Sequence, residues 1–318
     1  MADILTIGEI LTEFVAGEIG QTFDRTGVFT GPYPSGAPAI FIDQAAKTGS
    51  SAMMVSKVGP DGFGRLNVDR LRADGVDVSR IATVPERTTG IAFVTYRADG
   101  GRSFIFTTKD SANAEIGRDD VTADLFEGAK YFHIAGCSIF NDEMIEVFRK
   151  AIGLALSRGV KISFDPNIRR EVMDSDNVKD FVRYVVESCS IFLPGEDELG
   201  WITGIGDERE AAEHVLAHRA ELVIVKRGSR GSRVYARGGS FDVAPYPVTE
   251  TDPTGAGDCF AGTLVSLLNQ GRTLEEAVRY ASAAGAFCVT RRGPMEGTAT
   301  LAELEAFMNG AAAHDGAC

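Results

Sequence analysis

The residues best placed to do chemistry are Thr251-Asp252-Pro253-Thr254-Gly255-Ala256-Gly257-Asp258, which lead into Cys259-Phe260-Ala261-Gly262-Thr263-Leu264. A turn of Gly, Pro and Asp that runs straight into an apolar helix leaves the first backbone N–H groups of that helix without intrahelical acceptors. Gly255, Ala256 and Gly257 would supply these donors. Together with the helix dipole they make an anion site, and the absence of side chains at Gly255 and Gly257 lets an oxyanion come close. Asp258 places a carboxylate beside that site. An anion hole next to a carboxylate suits phosphoryl transfer: the amides stabilise charge on the moving group, and the carboxylate takes the proton of the attacking hydroxyl. The dipole is expected to keep Asp258 ionised at neutral pH. The plain alternative is that the run is only a turn and a helix cap.

Such a turn must be held by a scaffold, and the hydrophobic pattern outlines one. Short apolar runs at Ile4–Ile7, Ala52–Val55, Tyr131–Ala135, Val160–Phe164, Ser190–Leu193 and Leu222–Lys226 read as strands. Helical periodicity predicts helices over Ala37–Lys47, Phe63–Ala73, Glu143–Ser157, Glu208–His218, Ala256–Asn269, Leu274–Val289 and Leu301–Met308. Strands alternating with helices predict a mostly parallel sheet covered on both faces. Two patches of period two, Ile91–Tyr96 and Ser103–Thr107, flank Asp99-Gly100-Gly101, a hairpin signal. Antiparallel hairpins inside a βα chain predict a small accessory sheet, a lid over one end of the main sheet.

The bulk numbers exclude several classes. The 318 residues carry 32 basic and 45 acidic side chains, a net charge of −13 without a basic stripe, so a nucleic-acid partner is not expected. An apolar run of ~18 residues would signal a membrane span, and none occurs. The first residues lack the basic start of a secretory leader. Cys137, Cys189, Cys259, Cys288 and Cys318 are odd in number and form no C-x-x-C pair, which suits a reducing cytoplasm.

The run Asp252-x-Thr254-Gly255-Ala256-Gly257-Asp258 resembles the C-terminal signature of the ribokinase-like (PfkB) carbohydrate kinases. Further segments resemble the family's motifs in order: Gly8-Glu9-Ile10-Leu11, Ser35-Gly36-Ala37-Pro38-Ala39, Val58-Gly59-Pro60-Asp61-Gly62-Phe63-Gly64, Asp165-Pro166-Asn167-Ile168-Arg169, Leu193-Pro194-Gly195-Glu196-Asp197-Glu198 and Val225-Lys226-Arg227-Gly228-Ser229-Arg230-Gly231. The resemblance implies one α/β domain over residues 1–318, a three-layer α/β/α sandwich with a small β-sheet lid formed by inserts about 12–34 and 88–109. It implies an ATP- and Mg²⁺-dependent sugar kinase. Asp258 would be the catalytic base and Gly255, Ala256 and Gly257 the anion hole. Glu13, Gly36, Asn167 and Arg169 would meet the sugar; Lys226, Gly228 and Gly231 would meet ATP. Glu198 would help to hold Mg²⁺, and Asp252 and Thr254 would lie by a K⁺ site if this member uses one. The lid edges offer a homodimer surface. A G-x-x-x-x-G-K-[ST] motif is absent, so this is no P-loop kinase.

Departures from the pattern fall at Ser35, where the first glycine of a pair is usual, at Ile40 and Gly195, where asparagine is usual, and at Glu13, where aspartate is common. For the sugar, Asp165-Pro166-Asn167-Ile168-Arg169 resembles the branch of fructokinases and 2-keto-3-deoxygluconate kinases. Acid-sugar members carry Tyr and Arg where this chain has Phe106-Thr107-Thr108-Lys109-Asp110-Ser111. A carboxylate substrate wants a bidentate guanidinium. Its lack favours a neutral ketohexose, fructose or tagatose, phosphorylated at a primary hydroxyl; Arg169 and Lys109 leave 2-keto-3-deoxygluconate as the alternative. A weakly catalytic sugar-binding protein and a nucleoside kinase on the same fold are the other readings. Elsewhere, His214 and His218 have ligand spacing but no third partner, Cys259 reads as a small helix-face residue, Arg291-Arg292 as surface, and Trp201 as a core or interface residue.

Overall fold

The computed structural model describes residues 2–98, 101–167 and 175–315, with side chains as far as 311. The strands of the main sheet are β1 (Ile4–Ile7), β4 (Ala52–Val58), β5 (Asp77–Thr83), β8 (Tyr131–Ala135), β9 (Lys161–Asp165), β10 (Ile191–Phe192), β11 (Leu222–Lys226), β12 (Ser232–Ala236) and β13 (Gly239–Val243). They lie in the order β13-β12-β11-β10-β9-β8-β1-β4-β5. From β11 to β5 every pairing is parallel, and β12 and β13 close one edge as antiparallel hairpin strands.

Alternation along each strand divides the core in two. Leu5, Ile7, Phe132, Ile134, Val223 and Val225 face one cluster, packed by α3 (Asp142–Ser157), α4 (Asp176–Ser188), α5 (Glu196–Thr203) and α6 (Glu208–Leu216). Ile4, Tyr131, Leu222 and Ile224 face the other, packed by α1 (Ala37–Lys47), α2 (Gly62–Ala73), α7 (Ala256–Asn269), α8 (Leu274–Cys288) and α9 (Leu301–Asp315). This is the expected three-layer arrangement, since a parallel sheet must bury both faces.

A second sheet pairs β3 (Phe29–Ser35), β2 (Leu11–Ala16), β6 (Gly90–Tyr96) and β7 (Arg102–Thr107) in that order. The expected hairpin is there, β6 against β7, but the sheet is not wholly antiparallel: β2 and β6 run parallel. The stretch Gly27–Gly36 reads from sequence as a Gly/Pro loop, yet it contains β3. Pro32 and Pro34 are tolerated because β3 is an edge strand, where a missing N–H costs no ladder bond. Within the sheet Phe14 stacks on Phe93, which Phe29 meets edge-on, and Phe63 of α2 meets Phe14 edge-on at 5.7 Å, which ties the small sheet to α2.

Besides β2 and β3, three strands, β5, β12 and β13, escape the periodicity reading. β5 and β13 are mostly exposed edge strands without a clean apolar face. α4 likewise escapes the periodicity reading; the residues just before α4, including Arg169, lie outside those described. Trp201 of α5 is 48% exposed, so it is no core residue: α5 turns that position to solvent beside Lys179 and Arg183. α6 ends at Leu216, before His218, and the rings of His214 and His218 stand edge to face at 5.3 Å. Cys259 is fully buried against Cys288.

Candidate active site

The parallel strands all end on one edge of the sheet, and the chemistry-bearing residues lie just past those ends: Glu9 after β1, Cys137 and Ser138 after β8, Asp165 and Asn167 at the end of β9, and Lys226 at the end of β11. In an open α/β sheet this is the edge where loops diverge and a ligand can enter. The start of α7 arrives at the same place.

Gly255 caps α7 with φ +86°, a left-handed conformation, and a Cβ there would stand 2.5 Å from the Pro294 carbonyl oxygen. Only glycine fits. Among the described residues the N–H groups of Gly255, Ala256, Gly257 and Asp258 donate to no protein acceptor, as the sequence predicts. A Cβ on Gly257 would lie 3.3 Å from Lys226 Nζ and 3.7 Å from Asp165 Oδ2, so the bare main chain opens directly onto charged groups.

Lys226 Nζ pairs closely with Asp165 Oδ2, while Asp165 Oδ1 is buried without a hydrogen-bond partner among the described residues. Burial works against the Lys226 charge, but Asp165, Glu198 and Asp258 outweigh it and hold the ammonium above the usual lysine range. Asp258 is 7% exposed. Burial, and next the charge of Asp165, push its carboxyl well above the usual carboxylate range; Glu9 adds to this, and Lys226 and Arg102 oppose it. The expectation that the dipole keeps Asp258 ionised is therefore corrected. Desolvation beside two further acids outweighs half a unit charge at a helix end.

The turn before α7 is clamped. Asp252 Oδ1 accepts from Tyr96 Oη (2.8 Å) and Thr254 N (3.0 Å), and Oδ2 from Gly293 N (3.0 Å). Arg102 Nη1, from the small sheet, reaches Thr254 Oγ1 at 3.2 Å. Glu198 lies in the first turn of α5, and its Oε2 accepts the Gly195 N–H at 2.7 Å. The departure at Gly195 thus leaves a backbone donor where an asparagine amide is usual. Lys226 N donates to Pro194 O at 2.8 Å, which brings this turn beside β11.

Behind the amides runs a cavity of about 570 Å³. Tyr246, Val248, Phe260 and Val289 make it largely apolar; Gly228, Gly231, Lys226, Ala256 and Gly257 line it as well. Gly231 is also required by packing, because a Cβ there would stand 2.1 Å from Val243 O. A larger, more open cavity of about 800 Å³ lies beyond Pro245–Pro247 and holds none of these charged groups.

On the other side, Glu13 of β2 is buried and accepts from Ser35 Oγ at 3.1 Å; Ser35 N donates to Asn67 Oδ1 at 3.2 Å, and Asn67 Nδ2 to Thr12 Oγ1 at 2.9 Å. Ser35 at a usual glycine position therefore orients Glu13. Gly36 has φ +112°, and a Cβ on it would meet Glu9 O at 2.6 Å. Ile40 is buried under the phosphate-sized turn, 3.4 Å from where a Gly255 Cβ would be. Asn167 is exposed, with φ +38°. Sequence reasoning gave no part to Arg102, Tyr96 or the side chain of Glu9. Arg102 and Tyr96 meet the turn only because β6 and β7 fold over it.

Comparison with known proteins agrees with this architecture. The model for "pfkB family carbohydrate kinase" matches residues 1–301. Fructokinase-1 of Oryza sativa subsp. japonica is 31% identical over 317 residues, covering 97% of this chain and 98% of the relative. The structure of an E. coli protein provisionally named ribokinase II, in complex with ATP and Mg²⁺, superposes with a TM-score of 0.93 at 44% identity, covering 97% of this chain and 99% of that one. Fructokinase from Vibrio cholerae O395, in a form with fructose, ADP and potassium ion bound, gives a TM-score of 0.85 at 26% identity, with 96% and 98% covered. The fold is ribokinase-like, and with the family model spanning nearly the whole chain, this protein belongs to the pfkB family of carbohydrate kinases.

Proposed function

We propose that this chain transfers the γ-phosphate of ATP to a primary hydroxyl of a ketohexose, of the fructose or tagatose type, with Asp258 as general base. The observation that carries the proposal is the row of unbonded amides at Gly255, Ala256, Gly257 and Asp258 beside a buried carboxylate. ATP suits the cavity that Ala256 and Gly257 help to line: apolar walls accept a flat base, and Lys226 with Gly228 and Gly231 meets the phosphates. The amides and Lys226 hold charge that develops on the transferred group, and Arg102 stands ready at Thr254. Asp258 takes the proton of the attacking hydroxyl. A carboxyl raised above its usual range is a better base near neutral pH than an ordinary one.

Mg²⁺ fits the donors present: the unpartnered Asp165 Oδ1 and the Glu198 carboxylate lie around Lys226, and among the described residues no cage of three acidic, His or Cys groups replaces them. Such a site suits an ion carried on phosphates and water, which neutralises β- and γ-phosphate charge when bound. Asp252 and Thr254 border the place for a monovalent cation, K⁺.

The sugar would lie between Glu13, Gly36 and Asn167, with Arg169 from the neighbouring segment. The small sheet, from the inserts about 12–34 and 88–109, would act as a lid that excludes water. Its edges are the proposed homodimer surface. The odd cysteine count supports a reducing cytoplasm, and no described helix is long and apolar enough to cross a membrane. A neutral ketose is preferred to 2-keto-3-deoxygluconate because 106–111 lacks an arginine and two of the three relatives above are fructokinases.

The test is ATP-dependent phosphorylation across fructose, tagatose and 2-keto-3-deoxygluconate, with Asp258→Asn as the control. A drop in kcat of about 10²–10⁴ with calorimetric sugar binding retained is expected. Undiminished turnover in that variant would refute Asp258 as the base.

A further inference from the structure

Glu9 is a buried carboxylate that the mechanism above does not use. It is 7% exposed and follows β1 at the ligand edge of the sheet. Both of its oxygens are held: Oε2 accepts a close hydrogen bond from Ser138 Oγ, and Oε1 accepts from Cys137 Sγ at 3.2 Å. The approach of that turn depends on Gly8, where a Cβ would stand 2.6 Å from Ser138 Oγ and 2.7 Å from Pro38 Cγ. The carbonyl of Glu9 in turn abuts Gly36. One residue therefore joins three parts of the sugar side: the Gly36 turn, the Cys137–Ser138 turn, and through Cys137 the side chain of Asn167, whose Nδ2 lies 3.9 Å from the sulfur.

A buried carboxylate is costly unless it is hydrogen-bonded, and here Ser138 and Cys137 supply one donor to each oxygen. A glutamine amide has one oxygen and an NH2 group, so it could accept from only one of these two donors in the same geometry. It also lacks the charge, which acts on Asp258. After burial and Asp165, Glu9 also pushes the Asp258 carboxyl up, against Lys226 and Arg102, which pull it down.

We propose that Glu9 is a positioning residue for phosphoryl transfer: fixed by Ser138 and Cys137, it aligns the acceptor-sugar floor and sets the electrostatic environment of Asp258. It does so without touching the reacting atoms. This rests on the kinase reading above, with Asp258 as base.

The experiment is steady-state kinetics from pH 5.5 to 9 for wild type, Glu9→Gln and Glu9→Asp, with whichever sugar the wild type turns over best. Glu9→Gln should move the acidic limb of kcat down by about one pH unit, because Asp258 loses a repelling charge. It should also raise the sugar KM several-fold while the ATP KM stays at the wild-type value. Glu9→Asp, which keeps the charge, should leave the limb in place. A Glu9→Gln limb coincident with wild type overturns the proposal, as does an ATP KM that rises in step with the sugar KM. Absence of turnover by the wild type on every sugar would instead refute the kinase reading, and this proposal with it.

Discussion

Replacing Asp43 by asparagine should stabilise the protein by an amount that grows with pH. Asp43 lies on α1 with no exposed surface. Facing it are Asp74 and Arg70 at the end of α2, Thr298 of the segment before α9, and the Cys259 thiol of α7; Glu296 stands on the far side of Arg70. Burial, and then the charge of Asp74, push the carboxyl up to about 7, with Thr298 and Arg70 offsetting part of the shift. An unfolded aspartate ionises near ~3.9. Between about pH 4 and about pH 7 the folded state keeps a proton that the unfolded chain has released, so stability falls as pH rises through that window. About three units at ~1.36 kcal/mol each give a penalty of about 4 kcal/mol, absent below pH ~4 and complete above pH ~7. Asparagine has almost the same shape and no charge to desolvate. Urea unfolding of both proteins at pH 5 and pH 8.5 should show the advantage of the variant growing by about 3 kcal/mol between the two. Equal differences at the two pH values would refute the reasoning.

Three further substitutions probe the site. Lys226→Met leaves Asp165 buried without its cation and should cost about 3 kcal/mol in urea unfolding. Adding Asp165→Asn should recover most of this, and a loss below ~1 kcal/mol in the single variant would mean that the pair is not desolvated. Gly255→Ala forces a Cβ to within 2.5 Å of Pro294 O at φ +86°. Displacing one donor of an anion hole lowers kcat by about 10²–10³, and calorimetric sugar binding should be unchanged; wild-type kcat would show that the turn is not the anion site.

The sequence by itself determined the layers and the chemical core. A βα alternation with buried apolar runs leaves few foldings other than a parallel sheet covered on both faces, and the bounds of α1 and α7 follow from their caps and periodicity. The free amides at Gly255, Ala256 and Gly257 were legible because a helix start that follows a Gly/Pro turn has no other acceptors for its donors. Only tertiary structure decided what surrounds them. β3 hid behind its prolines because an edge strand needs no continuous ladder. Arg102 and Tyr96 lie more than 150 residues from the turn they touch, so no local pattern could assign them. The state of Asp258 went against the local rule for the same reason: a helix dipole is a property of the nearby chain, whereas burial beside Asp165 and Glu9 is a property of three strand ends and one helix meeting at a single point.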